Sequence, residues 1–190
     1  MILGLLLAGG DSSRMGRDKA RLLVGGEEAW LHLGRKMLEA GCTRVHMGIN
    51  PALQDPLTPL VPKDINLRLH VIPQAQRERG PIGSLAHLLS LIQEPYEACL
   101  VAPVDHPYVT VETLRRLLES KGPIRIPTHE GRRGHPIVLE AKPAAMVLHL
   151  KGTLKTLTRD PDLEAIEIEV PDETVHWNLD RPEDYERFEG

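Results

Sequence analysis

The chain has 190 residues, of which 41% are hydrophobic and 26% charged, and a formal net charge of -4 at pH 7. Those totals exclude a disordered or low-complexity chain, and the length suits one domain over residues 1–190 with a sizeable core. The acidic balance also excludes a general nucleic-acid binder, which neutralises phosphates with a basic surface, so any polyanion site must be local. The first element, Ile2 to Leu7, is a short aliphatic run closed by Gly9 and Gly10, which predicts a strand buried on both faces. It is too short to span a bilayer and no cleavage pattern follows it, so no membrane partner is expected. A loop carrying Arg14, Arg17 and Lys19 comes next.

Trp30, Leu33, Met37 and Leu38 then recur at helical spacing up to Gly41, and Arg44 to Ile49 reads as a second strand. Leu69 to Ile72 predicts another strand, followed by a loop at Gly80-Pro81 and a helix with the stripe Leu85, Leu88, Leu89 and Ile92. Ala98 to Val101 is the next buried strand, and Thr110 suits the N-cap of a helix with the stripe Val111, Leu114, Leu117 and Leu118. The last third is less regular: Ile124 to Pro127, a turn at Gly131, Pro136 to Leu139, helical pieces from Ala144 to Thr158, and Ile166 to Val170. This alternation predicts a three-layer α/β/α fold with a mostly parallel, Rossmann-like sheet and a small antiparallel excursion in the C-terminal third. Cys42 and Cys99 are far apart and lack CxxC spacing, so neither a disulfide framework nor a zinc ribbon is suggested and a reduced, cytoplasmic setting is expected.

Ligands of such sheets gather at the carboxyl ends of strands, where the loop after Leu7 lies. Its glycines allow close backbone approach, and Arg14 and Lys19 can make charge-assisted contacts to phosphate oxygens. The spacing is neither a P-loop, since one residue too many separates Gly10 from Gly16, nor GxGxxG, since Gly9 and Gly10 are adjacent. Asp105, just after a buried strand, reads either as a carboxylate for a hard cation or as a turn residue before Pro107. Asp180, followed by Pro182 and Glu183, has the form of a helix N-cap in a capping box. His106 and His135 match no zinc or HExxH spacing and read as structural histidines, with His135 also a candidate for an acceptor pocket. Arg132 and Arg133 read equally as an exposed hairpin tip or as a contact to a substrate phosphate.

Several motifs resemble one family in order along nearly the whole chain. Leu7-Ala8-Gly9-Gly10, Ser13-Arg14-Met15-Gly16 and Asp18-Lys19 are similar to the signature loop of the molybdenum cofactor nucleotidyltransferases, within the wider nucleotide-diphospho-sugar transferase type. Arg79-Gly80-Pro81-Ile82-Gly83, Pro103 to Pro107, Gly131 to Pro136 and Asn178 to Asp184 continue the resemblance. It implies magnesium-dependent transfer of a nucleoside monophosphate, GMP from GTP, to the phosphate of molybdopterin with release of pyrophosphate. It implies that Arg14, Lys19 and Asp105 are catalytic, and that Asp105 binds Mg2+ with Asp180, or less favourably Asn178, as a second contact. Nucleotide binding would fall to Leu7, Ala8, Gly9, Gly10, Ser13, Arg14, Lys19, Asn50, Gln74, Pro81, Gly83 and Asp105, and acceptor binding to Arg133 and His135.

The front half is similar to the guanylyltransferase, whereas Arg133 to Pro136 and the stretch from Gly152 to Asp184 are closer to the cytidylyltransferase, so CTP is the alternative nucleotide. Gln74 stands where the guanylyltransferase pattern has an acidic residue, and Gly48 stands at a position before Asn50 where the pattern is only half kept. A sugar- or alcohol-phosphate acceptor and a non-catalytic nucleotide-binding module are the remaining readings.

Overall fold

The computed structural model describes residues 1–10, 18–160 and 162–189. In chain order the elements are β1 (Ile2–Ala8), β2 (Leu23–Val24), β3 (Glu27–Glu28), α1 (Ala29–Ala40), β4 (Arg44–Ile49), α2 (Gln54–Leu57), β5 (Leu67–Val71), α3 (Gln74–Arg77), α4 (Pro81–Leu91), β6 (Ala98–Pro103) and α5 (Val111–Glu119). They continue with β7 (Ile124–His129), β8 (Arg132–Arg133), β9 (Ile137–Glu140), α6 (Ala141–Val147), α7 (Leu154–Thr158), β10 (Ala165–Glu169) and α8 (Pro182–Glu189). Short 3-10 turns cover Lys19–Arg21, Pro51–Leu53, Thr58–Leu60 and Glu173–His176.

The main sheet runs β10-β7-β9-β6-β1-β4-β5, with β8 paired to β7. β1 is parallel to β4 and β6, β4 to β5, and β10 to β7. The antiparallel pairs are β9 with β6 and β7, and β8 with β7, which is the excursion expected in the last third. Alternation along β1 sends Leu6 to one side of the sheet and Leu5 and Leu7 to the other. Leu6 packs in a core with Trp30, Leu33 and Met37 of α1 and Leu114 and Leu117 of α5. Leu5 packs in a second core with Leu85 and Leu88 of α4 and Leu139 of β9. Each fully buried side chain of this size contributes about 1.5–3 kcal/mol relative to exposure, and two such cores on one sheet make the three-layer architecture. Among the described residues no helix is long and apolar enough to cross a membrane.

Local signals account for most element ends. Thr110 caps α5 as predicted, its Oγ1 accepting from Thr113 N at 3.2 Å, while Asp172 Oδ2 accepts from Thr110 N at 3.0 Å. β5 begins at Leu67 and β10 at Ala165, earlier than the apolar runs suggested, because Leu67 pairs with Val45 of β4 and Ala165 with Ile124 of β7. The expected helical pieces from Ala144 to Thr158 separate into α6 and α7. Arg125, in the middle of an apolar strand, is buried and donates to the carbonyls of Leu117, Leu118, Ser120 and Gly122 at 2.9–3.2 Å. It thereby satisfies carbonyls at the end of α5 that the helix itself leaves unpaired.

Candidate active site

The parallel register brings Leu7 opposite Pro103, and Val104 N donates to Leu7 O at 3.0 Å, so the chain leaves β1 and β6 side by side at one edge of the sheet. A cavity of about 330 Å³ opens there, lined by Leu7, Ala8, Gly9, Gly10, Asp18, Lys19, Arg77, Gly80, Pro81, Ser84, Pro103, Val104, Asp105 and Asp180. This is the carboxyl edge at which α/β sheets hold ligands.

One end of the cavity is ionic. Lys19 Nζ lies 2.6 Å from Asp180 Oδ1 and 3.2 Å from Asp105 Oδ2. Lys19 is presented by a 3-10 turn capped by Asp18, whose Oδ1 accepts from Ala20 N at 3.1 Å, and burial raises the Asp18 carboxyl above its ordinary pKa. Ala20, fully buried, anchors that turn in the core. The C-terminal segment is tied to the same place, because Leu179 N donates to Asp105 O at 2.8 Å. Asp180 Oδ2 accepts from Asn178 Nδ2 at 3.1 Å, so Asn178 orients the carboxylate. The N-cap expectation for Asp180 is corrected: the N–H groups of Asp180 and Arg181 donate to Asp184 Oδ2 at 3.2 and 2.9 Å. α8 begins at Pro182, so Arg181 and not Asp180 stands next to its first residue, and the carboxylate of Asp180 is turned toward Lys19.

The other end is formed where α3 passes into α4. Gly80 has φ 74° and ψ -159°, a region open to glycine alone, and Pro81 follows at the first helical position. Arg77 Nε donates to Gly9 O at 2.9 Å, tying α3 to the loop after β1. A Cβ on Gly9 would lie 2.8 Å from Ser84 Oγ, so α4 packs directly over that loop.

The predicted site residues separate under this geometry. Leu7, Ala8, Gly9, Gly10, Lys19, Pro81, Asp105 and Asp180 line the cavity together. Gly83 does not line it: a Cβ there would lie 2.0 Å from Gln76 O, so its position in the motif serves the close packing of α4 on α3. Gln74 is exposed, with its Nε2 donating to Glu78 Oε1 at 2.9 Å, and Asn50 accepts from Ala52 N at 2.9 Å as the cap of the Pro51–Leu53 turn. Neither belongs to the cavity lining. Ser13 and Arg14 lie outside the described residues.

On the acceptor side, Arg133 is exposed on β8 and its Nε lies 2.7 Å from Glu167 Oε1. Arg132 is exposed beside it, with its carbonyl 2.9 Å from His176 Nε2. His135 instead stacks at a tilt on His106, ring centroids 4.9 Å apart, and His106 Nε2 lies 3.9 Å from Asp105 Oδ1. Burial pushes the His106 imidazole down to about 4 and lowers that of His135, so both are neutral at pH 7.

Sequence reasoning passed over Arg77 and Ser84. Arg79, in the quoted motif, donates to Gln76 Oε1 at 2.8 Å and to Leu150 O at 3.3 Å and is no part of the cavity lining. The available signal was the Gly80-Pro81 turn itself, since a residue one helical turn before it is carried to the β1 side.

The ionic end also fits a hard divalent cation. Asp105 and Asp180 offer carboxylate oxygens close enough to share one ammonium, and Asp105 Oδ1 is buried without a hydrogen bond among the described residues. Among those residues no group of three or more His, Cys, Asp or Glu side chains could hold a metal. A pair of carboxylates completed by substrate phosphates is the arrangement Mg2+ commonly takes, in place of an all-protein cage.

The MobA-like NTP transferase domain matches residues 4–164 of this chain. A molybdenum cofactor guanylyltransferase from Cereibacter sphaeroides is 31% identical over 201 residues, covering 100% of this chain and 96% of its own. Another, from Rhizobium rhizogenes, is 28% identical over 204 residues, covering 94% of this chain and 87% of its own. Among solved structures, Rv0371c from Mycobacterium tuberculosis superposes with a TM-score of 0.85 at 21% identity, covering 100% of this chain and 98% of its own. The manganese complex of that protein gives a TM-score of 0.79 at 19% identity, with 98% and 97% covered. At these identities the structural likeness is one of fold.

Proposed function

The chain belongs to the MobA-like NTP transferase family and is a nucleotidyltransferase, and from that premise we propose that it transfers GMP from GTP to the phosphate of molybdopterin with release of pyrophosphate. The observation that carries this reading is the convergence of Lys19, Asp105 and Asp180 beside the Leu7 to Gly10 backbone in one cavity. Residues 1–190 act as one transferase domain, and the buried free thiols of Cys42 and Cys99 suit a reduced compartment such as the cytoplasm.

The attacking group is already an anionic phosphate, so no strong general base is needed. The residues must bring two anions together and stabilise charge on the α-phosphate and on the departing pyrophosphate. The backbone of Leu7 to Gly10 holds the nucleotide, with Arg77 fixing that loop through Gly9 O. Lys19 contacts the reacting phosphate, and Arg14 and Ser13, between Gly10 and Lys19 in the sequence, meet the leaving pyrophosphate. Asp105 and Asp180 hold Mg2+, which when bound neutralises phosphate charge. His135, neutral and stacked on His106 beside Asp105, lines the approach of the acceptor. Arg133 reaches an acceptor phosphate by exchanging Glu167 for it.

A second reading, CTP as donor, is favoured by one observation. The end of the cavity away from Lys19 is lined by Arg77, Gly80, Pro81 and Ser84, and Gln74, which replaces the acidic residue of the guanylyltransferase pattern, lies outside the lining. Among the described residues no carboxylate at that end is offered to the adjacent N–H donors of guanine.

The deciding experiment incubates the purified protein and molybdopterin with Mg2+ and α-labelled GTP or CTP and follows label transfer. Transfer from GTP with little from CTP is expected, and Lys19→Ala should lower it by about 10²–10³-fold. Transfer from CTP alone selects the second reading, and transfer from neither overturns both.

A further inference from the structure

Lys19 occupies a position that a phosphate-binding lysine alone does not require. Its ammonium bridges the two carboxylates assigned to the metal, at 2.6 Å from Asp180 Oδ1 and 3.2 Å from Asp105 Oδ2. We infer that Lys19 is the built-in counter-ion of the Asp105–Asp180 pair, that the ammonium and a divalent cation are alternative occupants of it, and that nucleotide phosphates admit the metal by drawing Lys19 away. This rests on the proposed assignment of the carboxylates and adds an order of events to it.

The exclusion follows from charge and distance. A divalent cation bound to these oxygens sits about 2.0–2.1 Å from them, which would bring it against an ammonium held by the same two groups. Two positive ions cannot share that space in a partly buried site where screening is weak. Lys19 is largely buried, at 14% side-chain exposure, and Asp105 at 23%.

The exchange is built into the local structure. The backbone of Lys19 is fixed, because Asp18 caps its turn and Ala20 is buried, while the four-carbon stem leaves the ammonium able to swing. Asp180 has a holder besides Lys19, since Asn178 Nδ2 donates to Asp180 Oδ2, and the main chain at Asp105 is fixed by Leu179 N donating to its carbonyl. Gly9 and Gly10 line the same cavity, so phosphates bound along their backbone would share it with the Lys19 side chain. Lys19 therefore keeps two like charges assembled before the metal arrives and becomes a phosphate ligand when the metal replaces it.

The test is direct Mn2+ binding to nucleotide-free protein, read by the paramagnetic resonance of free Mn2+. Lys19→Met is expected to tighten binding by about tenfold or more, because the competing ammonium is gone. Arg77→Met is the control, since it removes one positive charge from the same cavity while leaving the ammonium on Asp105 and Asp180 in place. A gain for Lys19→Met more than three times that of Arg77→Met supports the inference, and any smaller ratio, or no Mn2+ binding by any of the proteins, overturns it. Should Lys19→Met fail to fold, the unaltered protein serves, with its lysines 13C-dimethylated and titrated with Mg2+ in the absence of nucleotide. A Lys19 resonance that shifts supports the exchange, and one that stays fixed overturns it. Neither readout involves GMP transfer, so a transferase that fails these tests keeps its assigned activity, while a protein that passes them and transfers no nucleotide loses only that activity.

Discussion

Arg77 and Gly9 are joined by a hydrogen bond of 2.9 Å from Nε to the glycine carbonyl, across 68 residues of chain. The contact fixes the loop after β1 from the side opposite the ionic end of the cavity, and a hydrogen bond from a charged donor contributes about 1.5–3 kcal/mol. Arg77→Met should therefore weaken nucleotide binding by roughly 10–100-fold, with a smaller effect on the turnover of saturated enzyme. Calorimetric titration with GTP checks this, and unchanged affinity would mean that β1 alone holds the loop.

Gln74 is exposed and engaged with Glu78. Replacing it with Asp, the change its motif position invites, should leave the ratio of GTP to CTP affinity within about twofold, because surface substitutions away from a site act weakly. A shift toward GTP would place residue 74 against the base in the bound state.

Gly83 has no room for a side chain, as a Cβ would meet Gln76 O at 2.0 Å and Arg79 Cβ at 2.7 Å. Gly83→Ala should force α4 from α3 and destabilise the fold by about 1–3 kcal/mol or more, despite the better helix propensity of alanine. Urea denaturation measures the loss. Because α3 carries Arg77, nucleotide affinity should fall with it.

His46 is buried in β4, with Nδ1 2.9 Å from His70 Nε2 and Nε2 3.5 Å from Glu94 Oε1. Burial first, then His70, Arg44 and Arg68, push its imidazole down to about 4 from 6.5, against the opposing pull of Glu94. The native state holds it neutral while the unfolded chain takes up a proton below pH 6.5, so its contribution is complete above that pH and is lost as pH falls toward 4. The loss amounts to about 2–3 kcal/mol. The urea midpoint should decline across this window, and His46→Gln should flatten the decline. An equal slope in the variant would show that other groups govern acid stability.

What the sequence by itself determined is what neighbouring residues decide. The apolar run of β1, the helical stripes of α1, α4 and α5, and the Thr110 cap depend on spacings of two to four residues, and each is found where the pattern predicted it, except that Ile92 stands just past the end of α4. The same local logic carried the family signature, since Leu7 to Gly10 and Pro103 to Asp105 span the ends of two strands that lie side by side. Tertiary structure alone decided the pairings. Asp180 has the local form of a cap, yet α8 begins only at Pro182, Asp184 accepts from the main chain of Asp180 and Arg181, and the Asp180 carboxylate meets Lys19, 161 residues away. Arg77 enters the cavity while Arg79 of the quoted motif turns to Gln76 and Leu150, and Gln74, Gly83 and Arg133 find partners outside it. A residue type limits which contacts a side chain can make; which one it makes depends on the partner that folding brings within a few ångströms, and spacing along the chain carries no record of that distance.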